Sequence, residues 1–120
     1  MKRVVDEIKD FENKYLDKRF KIDWNKIRIS RADGYNHNLM VASICVWFLH
    51  NNINFATQPR FKTGYRPDII CFPHVKNIIE VRNTETERRT KNKLKRIPKE
   101  LVDNIIYVDA RQEFKEELIT

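Results

Sequence analysis

Two stretches decide how this chain is read: Arg66-Pro67-Asp68-Ile69-Ile70-Cys71-Phe72 and, past Pro73-His74, Asn77-Ile78-Ile79-Glu80-Val81-Arg82-Asn83. Isoleucine, valine and phenylalanine dominate both, and prolines or asparagines bound them, so 68–72 and 77–83 are predicted strands joined by a turn. Each strand carries one carboxylate. Side chains alternate along a strand, so Ile78, Glu80 and Arg82 share one face while Ile79 and Val81 take the other. An ionised Glu80 in so apolar a strand is costly unless a cation or a donor compensates it. Pro67 has no N–H and suits a strand's first position, which places Asp68 at the start of the neighbouring strand. If the strands are neighbours, the two carboxylates converge. Two hard oxygen donors can hold Mg²⁺ or Mn²⁺, which keeps several waters and can activate one against a phosphate. The plainer alternative is that Asp68 caps a turn while Glu80 and Arg82 pair on a half-exposed strand.

Before the pair, 53–58 is a third strand, closed by Pro59, and Lys62-Thr63-Gly64 is a turn. Further back, 37–50 is a helix capped by Asn36 and ended by Asn51-Asn52. Leu39, Met40, Ile44, Val46, Trp47, Phe48 and Leu49 surround it on nearly every side, which predicts a fully buried central helix. Residues 2–20 form an amphipathic helix with Val4, Ile8, Phe11 and Tyr15 on one stripe. Residues 21–35, with Ile22, Trp24, Ile27 and Ile29, read as a short strand or an irregular arm. After the pair, Thr84 and Glu87 have capping-box spacing and open a helix that Pro98 stops, with Thr90, Leu94, Ile97 and Leu101 as its apolar stripe. A strand over 105–109 and a C-terminal helix over 111–118 complete the order. The expected class is α/β, a central mixed β-sheet flanked by helices.

The chain's 120 residues fit a single domain over 1–120: helix and arm in 1–35, a core in 36–110 and a closing helix in 111–120. Lys and Arg number 24 against 17 Asp and Glu, a net charge of +7 that favours polyanions. Cys45 and Cys71 sit in apolar runs outside any CxxC pair and read as reduced core thiols. MKRVVDEIKD has acids where a secretory signal needs apolar residues, and the apolar run at 39–49 is too short to span a bilayer. An intracellular, cytoplasmic, soluble protein without a membrane partner is the expectation.

Arg66-Pro67-Asp68-Ile69-Ile70 followed by Ile78-Ile79-Glu80-Val81-Arg82 resembles the paired motif of the PD-(D/E)XK nuclease superfamily, which includes restriction endonucleases and archaeal Holliday junction resolvases. The likeness covers about residues 36–110. It implies a restriction endonuclease-like core, with Asp68 and Glu80 binding Mg²⁺ or Mn²⁺ and Arg82 at the position of the family's usual catalytic lysine. Arginine keeps the positive charge and can clamp a phosphate, but it does not deprotonate at working pH. Lys91, on the following helix, is a candidate substitute. Many members carry a glutamate on the buried helix; residues 37–50 contain no acid, and His37 is the candidate ligand or phosphate contact there. Gln58, ending the first strand, is a further helper.

From Arg82 to Lys99 there are eight Lys or Arg residues and two Glu. Arg88, Arg89, Lys91, Lys93, Lys95 and Arg96 recur at helical spacing, and with Arg66 they form the expected nucleic-acid surface, which Arg60 and Lys62 could extend. A merely solvated helix face is the alternative. No aromatic stacking platform is evident, which disfavours a pure single-strand binder. The leading expectation is a metal-dependent endonuclease acting on DNA, including structured or branched DNA, working as a homodimer through the 2–20 or C-terminal helix. Its rivals are a nuclease-fold DNA-binding module without catalysis and a basic protein-interaction adaptor.

Overall fold

The computed structural model describes residues 2–83 and 87–120, apart from the side chains of 87–90. The apolar hairpin is its centre. Strand β2 (Ile69–Phe72) pairs antiparallel with β3 (Ile78–Arg82), Ile69 opposite Ile79 and Ile70 opposite Ile78. Strand β1 (Asn54–Thr57) pairs antiparallel with the other edge of β2, and β4 (Ile105–Asp109) pairs parallel with β3. The result is a four-stranded mixed sheet in the order β1-β2-β3-β4.

The two faces of the sheet are covered differently. Helix α2 (Tyr35–His50) lays Met40, Val41, Ile44, Cys45 and Phe48 on Phe55, Ile69, Cys71, Ile79 and Val81. The opposite face holds Ile70, Phe72 and Ile78 against Phe11 of α1 (Val4–Tyr15), Leu16, Phe61, Tyr65, Ile97 and Leu101. Both cysteines are buried and free, and burial pushes both thiols up, Cys45 to about 12.

Several elements depart from the sequence expectation. The first helix ends at Tyr15 rather than near 20, because Leu16 turns into extended backbone and bridges to Phe61. Gly34, not Asn36, precedes the first turn of α2, while Asn52 takes the left-handed φ of 56° that ends it. That helix is not buried all round: Tyr35, Leu39, Val46 and Leu49 are exposed, since only one side of it meets the sheet. The basic helix α3 spans Glu87–Lys95, and its expected capping residue Thr84 lies outside the described residues. Of its expected apolar stripe, Ile97 and Leu101 are buried and Leu94 is exposed; the Thr90 side chain is not described. The C-terminal helix is absent. The Asp109 carboxylate accepts the Arg111 N–H (2.9 Å), turning the chain, and only a 3-10 turn, Glu116–Leu118, follows, seated by buried Ile119.

Residues 21–30 form an irregular arm along the outer edge of β1. Trp24 bridges to Ala56, the Asn25 N–H donates to the Phe55 carbonyl (2.7 Å), and the Arg28 N–H donates to Thr57 Oγ1 (3.1 Å). Edge strands invite pairing with other chains, and this arm occupies the one β1 would present. No described helix is long and apolar enough to cross a membrane.

Candidate functional site

Continuing the β2–β3 register by one step sets Asp68 opposite Glu80, and there the backbone ladder gives way to side chains. The Asp68 N–H donates to Glu80 Oε1 (2.9 Å), and the Val81 N–H donates to Asp68 Oδ2 (2.7 Å). Each carboxylate thus satisfies the other strand's backbone donor, and both residues are buried. The β1–β2 and β3–β4 registers extend the row, with Gln58 beside Asp68 and Tyr107 beside Glu80.

Two basic side chains approach from the flanking helices. His37, in the first turns of α2, places Nε2 3.1 Å from Asp68 Oδ1. Lys93 of α3 places Nζ 2.7 Å from Glu80 Oε2. Burial, and then the neighbouring charge of Asp68, push the Glu80 carboxyl up to about 7, against the opposing pull of Lys93. The hydrogen bond to Asp68 raises His37, against its own burial. Tyr65 lies against this cluster. Its buried hydroxyl lies near Glu80 without closing a well-formed hydrogen bond, and burial first, then the charge of Glu80, hold its proton far more tightly than usual. His37 Nδ1 is likewise buried without a partner.

Of the residues singled out from sequence, Asp68, Glu80 and His37 are brought together. Arg82 is not joined to them: its guanidinium lies over the Tyr107 ring, 3.8 Å from the centroid, and no ion pair links it to either carboxylate among the described residues. Lys91, the suggested substitute, is exposed; the lysine that reaches Glu80 is Lys93, two positions on. Gln58, with a left-handed φ of 50°, donates its backbone N–H to the Asp68 carbonyl (3.0 Å), but its side chain reaches toward Asp33 and Arg66. Arg66, Lys95 and Arg96 are exposed; the side chains of Arg88 and Arg89 lie outside the described residues. Sequence reading missed Tyr65 altogether, since nothing in a turn beside Gly64 marks it. It also placed Lys93 only on the general basic surface, although Lys93 stands one helical turn before buried Ile97 and so shares its inward side.

Beside Gln58 a groove of about 340 Å³ opens among Phe20, Lys21, Arg28, Arg60 and Arg66. Its acids are locked internally, Asp17 by Arg19 and Asp23 by Arg28, while the Arg60 guanidinium lies over the half-exposed Phe20 ring at 4.2 Å. The groove is thus lined in excess by positive charge.

The cluster's chemistry fits a hard divalent cation. Mg²⁺ needs only one or two carboxylates, completing its shell with water and phosphate oxygens. The outer oxygens of Asp68 and Glu80 are taken by His37 and Lys93, so an ion would replace those contacts, and burial with the charge of Asp68 already disfavours a Glu80 carboxylate that has no cation beside it. No group of three or more His, Cys, Asp or Glu side chains is placed for a metal among the described residues, and Asp68 and Glu80 would be its carboxylate anchors among them. Comparisons with family models, curated proteins and solved structures returned no match.

Proposed function

We propose that this chain is a metal-dependent DNA endonuclease built on a restriction endonuclease-like core, with Asp68 and Glu80 as anchors for Mg²⁺ or Mn²⁺. One observation carries the reading. Two carboxylates face each other in register at the buried end of two apolar strands, and the charge of one raises the pKa of the other. A structural role alone gives no reason to place a second negative charge there.

When bound, such an ion neutralises the carboxylates and polarises a phosphate oxygen. The chain's own groups supply the rest. Asp68 and Glu80 would hold the ion; the water that adds to phosphorus gives its proton to solvent, one P–O ester bond breaks, and the departing oxygen takes a proton from solvent. Lys93, beside Glu80, offers positive charge to the phosphate as its negative charge grows. His37 orients Asp68. The exposed Lys91, Lys95 and Arg96, with Arg66 and the groove at Arg60, hold the neighbouring phosphates in a salt-sensitive, sequence-independent way.

A second reading, a DNA-binding module without cleavage, draws on the stacking of Arg82 on Tyr107 and on the basic partner each carboxylate already has, His37 and Lys93. Incubating the protein with duplex, single-stranded and branched DNA in Mg²⁺ or Mn²⁺ separates the two. Cleavage that falls by at least about 10²-fold in both Asp68→Asn and Glu80→Gln establishes the enzyme. Salt-sensitive retention of DNA with no cutting in either metal establishes the module. Failure to retain DNA at low salt rejects both and leaves an adaptor for an acidic protein.

A further inference from the structure

Helix α2 is apolar on two opposite sides, and the fold uses only one. Ile44 and Phe48 point into the sheet, while Tyr35, Leu39, Val46 and Leu49 are 78%, 53%, 45% and 47% exposed. With half-buried Ala42 between them, these five positions follow a 4-3-4-3 spacing, the repeat that keeps one helix against another. The stripe is centred directly opposite Ile44, and on the far side of the helix from His37.

The order along the stripe is large, large, small, large, large. Reversed, it matches itself to within one residue's rise, about 1.5 Å: Tyr35 falls opposite Leu49, Ala42 opposite Ala42, and Leu39 beside Val46. A small residue at the crossing lets two helix axes approach closely, and antiparallel helices oppose their dipoles favourably. Charge points to the same face. The chain carries +7, so two copies repel over most of their surface, yet none of the sixteen residues of α2 is Asp, Glu, Lys or Arg. Two such stripes bury on the order of 1,000 Å² in total, the lower limit of a specific interface. The other expected surfaces are unsuited: Val4, Ile8, Phe11 and Tyr15 of α1 all pack inward, and the C-terminal helix does not form.

We propose that α2 pairs antiparallel with α2 of a second copy about a twofold axis at Ala42, giving a homodimer with a Kd of roughly micromolar. The pairing does not rest on the hydrolytic reading. Light scattering on size-exclusion peaks, loaded from about 1 to about 200 µM, brackets that affinity. Wild type moves from monomer to dimer across the series, while Leu39→Glu and Val46→Glu each stay monomeric with unchanged circular dichroism, because both positions are exposed in the monomer. Leu39→Glu combined with Val46→Lys restores the dimer, since antiparallel pairing sets position 39 against position 46 of the other copy. A wild-type monomer at every concentration, a dimer indifferent to the single changes, or a double variant that stays monomeric overturns the proposal.

Discussion

The two ends of β3 do the same structural work with different chemistry. Where β3 begins, neutral amides complete the ladder: the Asn77 N–H donates to Asn104 Oδ1 (3.1 Å), Asn104 Nδ2 donates to Asn77 Oδ1 (3.0 Å), and Asn77 Nδ2 donates to the Cys71 carbonyl (2.9 Å). Near its other end, Asp68 and Glu80 accept the equivalent backbone donors with carboxylates. Asparagine and glutamine can accept an N–H just as well and bring no charge to desolvate. The amide end is what strand closure alone requires. The carboxylate end carries a buried pair of acids beyond that requirement, and this excess is what supports the proposed cation site.

Substitution at the carboxylate end gives the largest effect. Glu80 is raised from 4.5 to about 7, so its contribution to stability is fully present below pH 4.5 and is lost as pH rises through 7. In a metal-free buffer the loss is on the order of 3 kcal/mol. Glu80→Gln keeps the acceptor for the Asp68 N–H and removes the titration. Urea unfolding of wild type should therefore weaken between pH 5 and 8 more steeply than that of the variant, which keeps only the loss from His37 as it deprotonates beside Asp68, and the variant is the more stable of the two at pH 8. At the amide end, Asn77→Ala strands half-buried partners, Asn104 and the Cys71 carbonyl, and costs about 1–3 kcal/mol, equally at both pH values. The smallest change is Tyr65→Phe. It deletes a buried hydroxyl that makes no well-formed hydrogen bond, so unfolding shifts by less than about 1 kcal/mol. If the hydroxyl serves the site, metal-dependent cleavage falls nonetheless, and an undiminished rate would remove Tyr65 from it.

The contrast also explains what the sequence made legible. Ile69-Ile70 and Ile78-Ile79 are β-branched runs joined by a short connection, so their antiparallel pairing, and with it the meeting of Asp68 and Glu80, follows from local pattern. The strand at 105–109 was readable for the same reason, and its observed bounds agree. The rest depended on tertiary placement. Periodicity showed that α2 is apolar all round but not that Leu39, Val46 and Leu49 would stay exposed. Basic residues crowd 88–96, and the choice of Lys93 over Lys91 rests on the phase at which α3 meets the sheet. Residues 21–30 have no regular pattern because they conform to the edge of β1. Residues 111–118 have too few apolar positions to hold a helix on the core, and Phe114, Leu118 and Ile119 suffice to dock them as turns.

Calorimetric titration of Mn²⁺ into the protein at pH 7.5 addresses the carboxylate end directly, with Asp68→Asn/Glu80→Gln as the control. One ion should bind per chain with release of protons, more of them at pH 6.5 where Glu80 is largely protonated, and the double variant should bind none while remaining folded. Wild type that takes up no ion, or a double variant that binds as well as wild type, would contradict a cation site between Asp68 and Glu80.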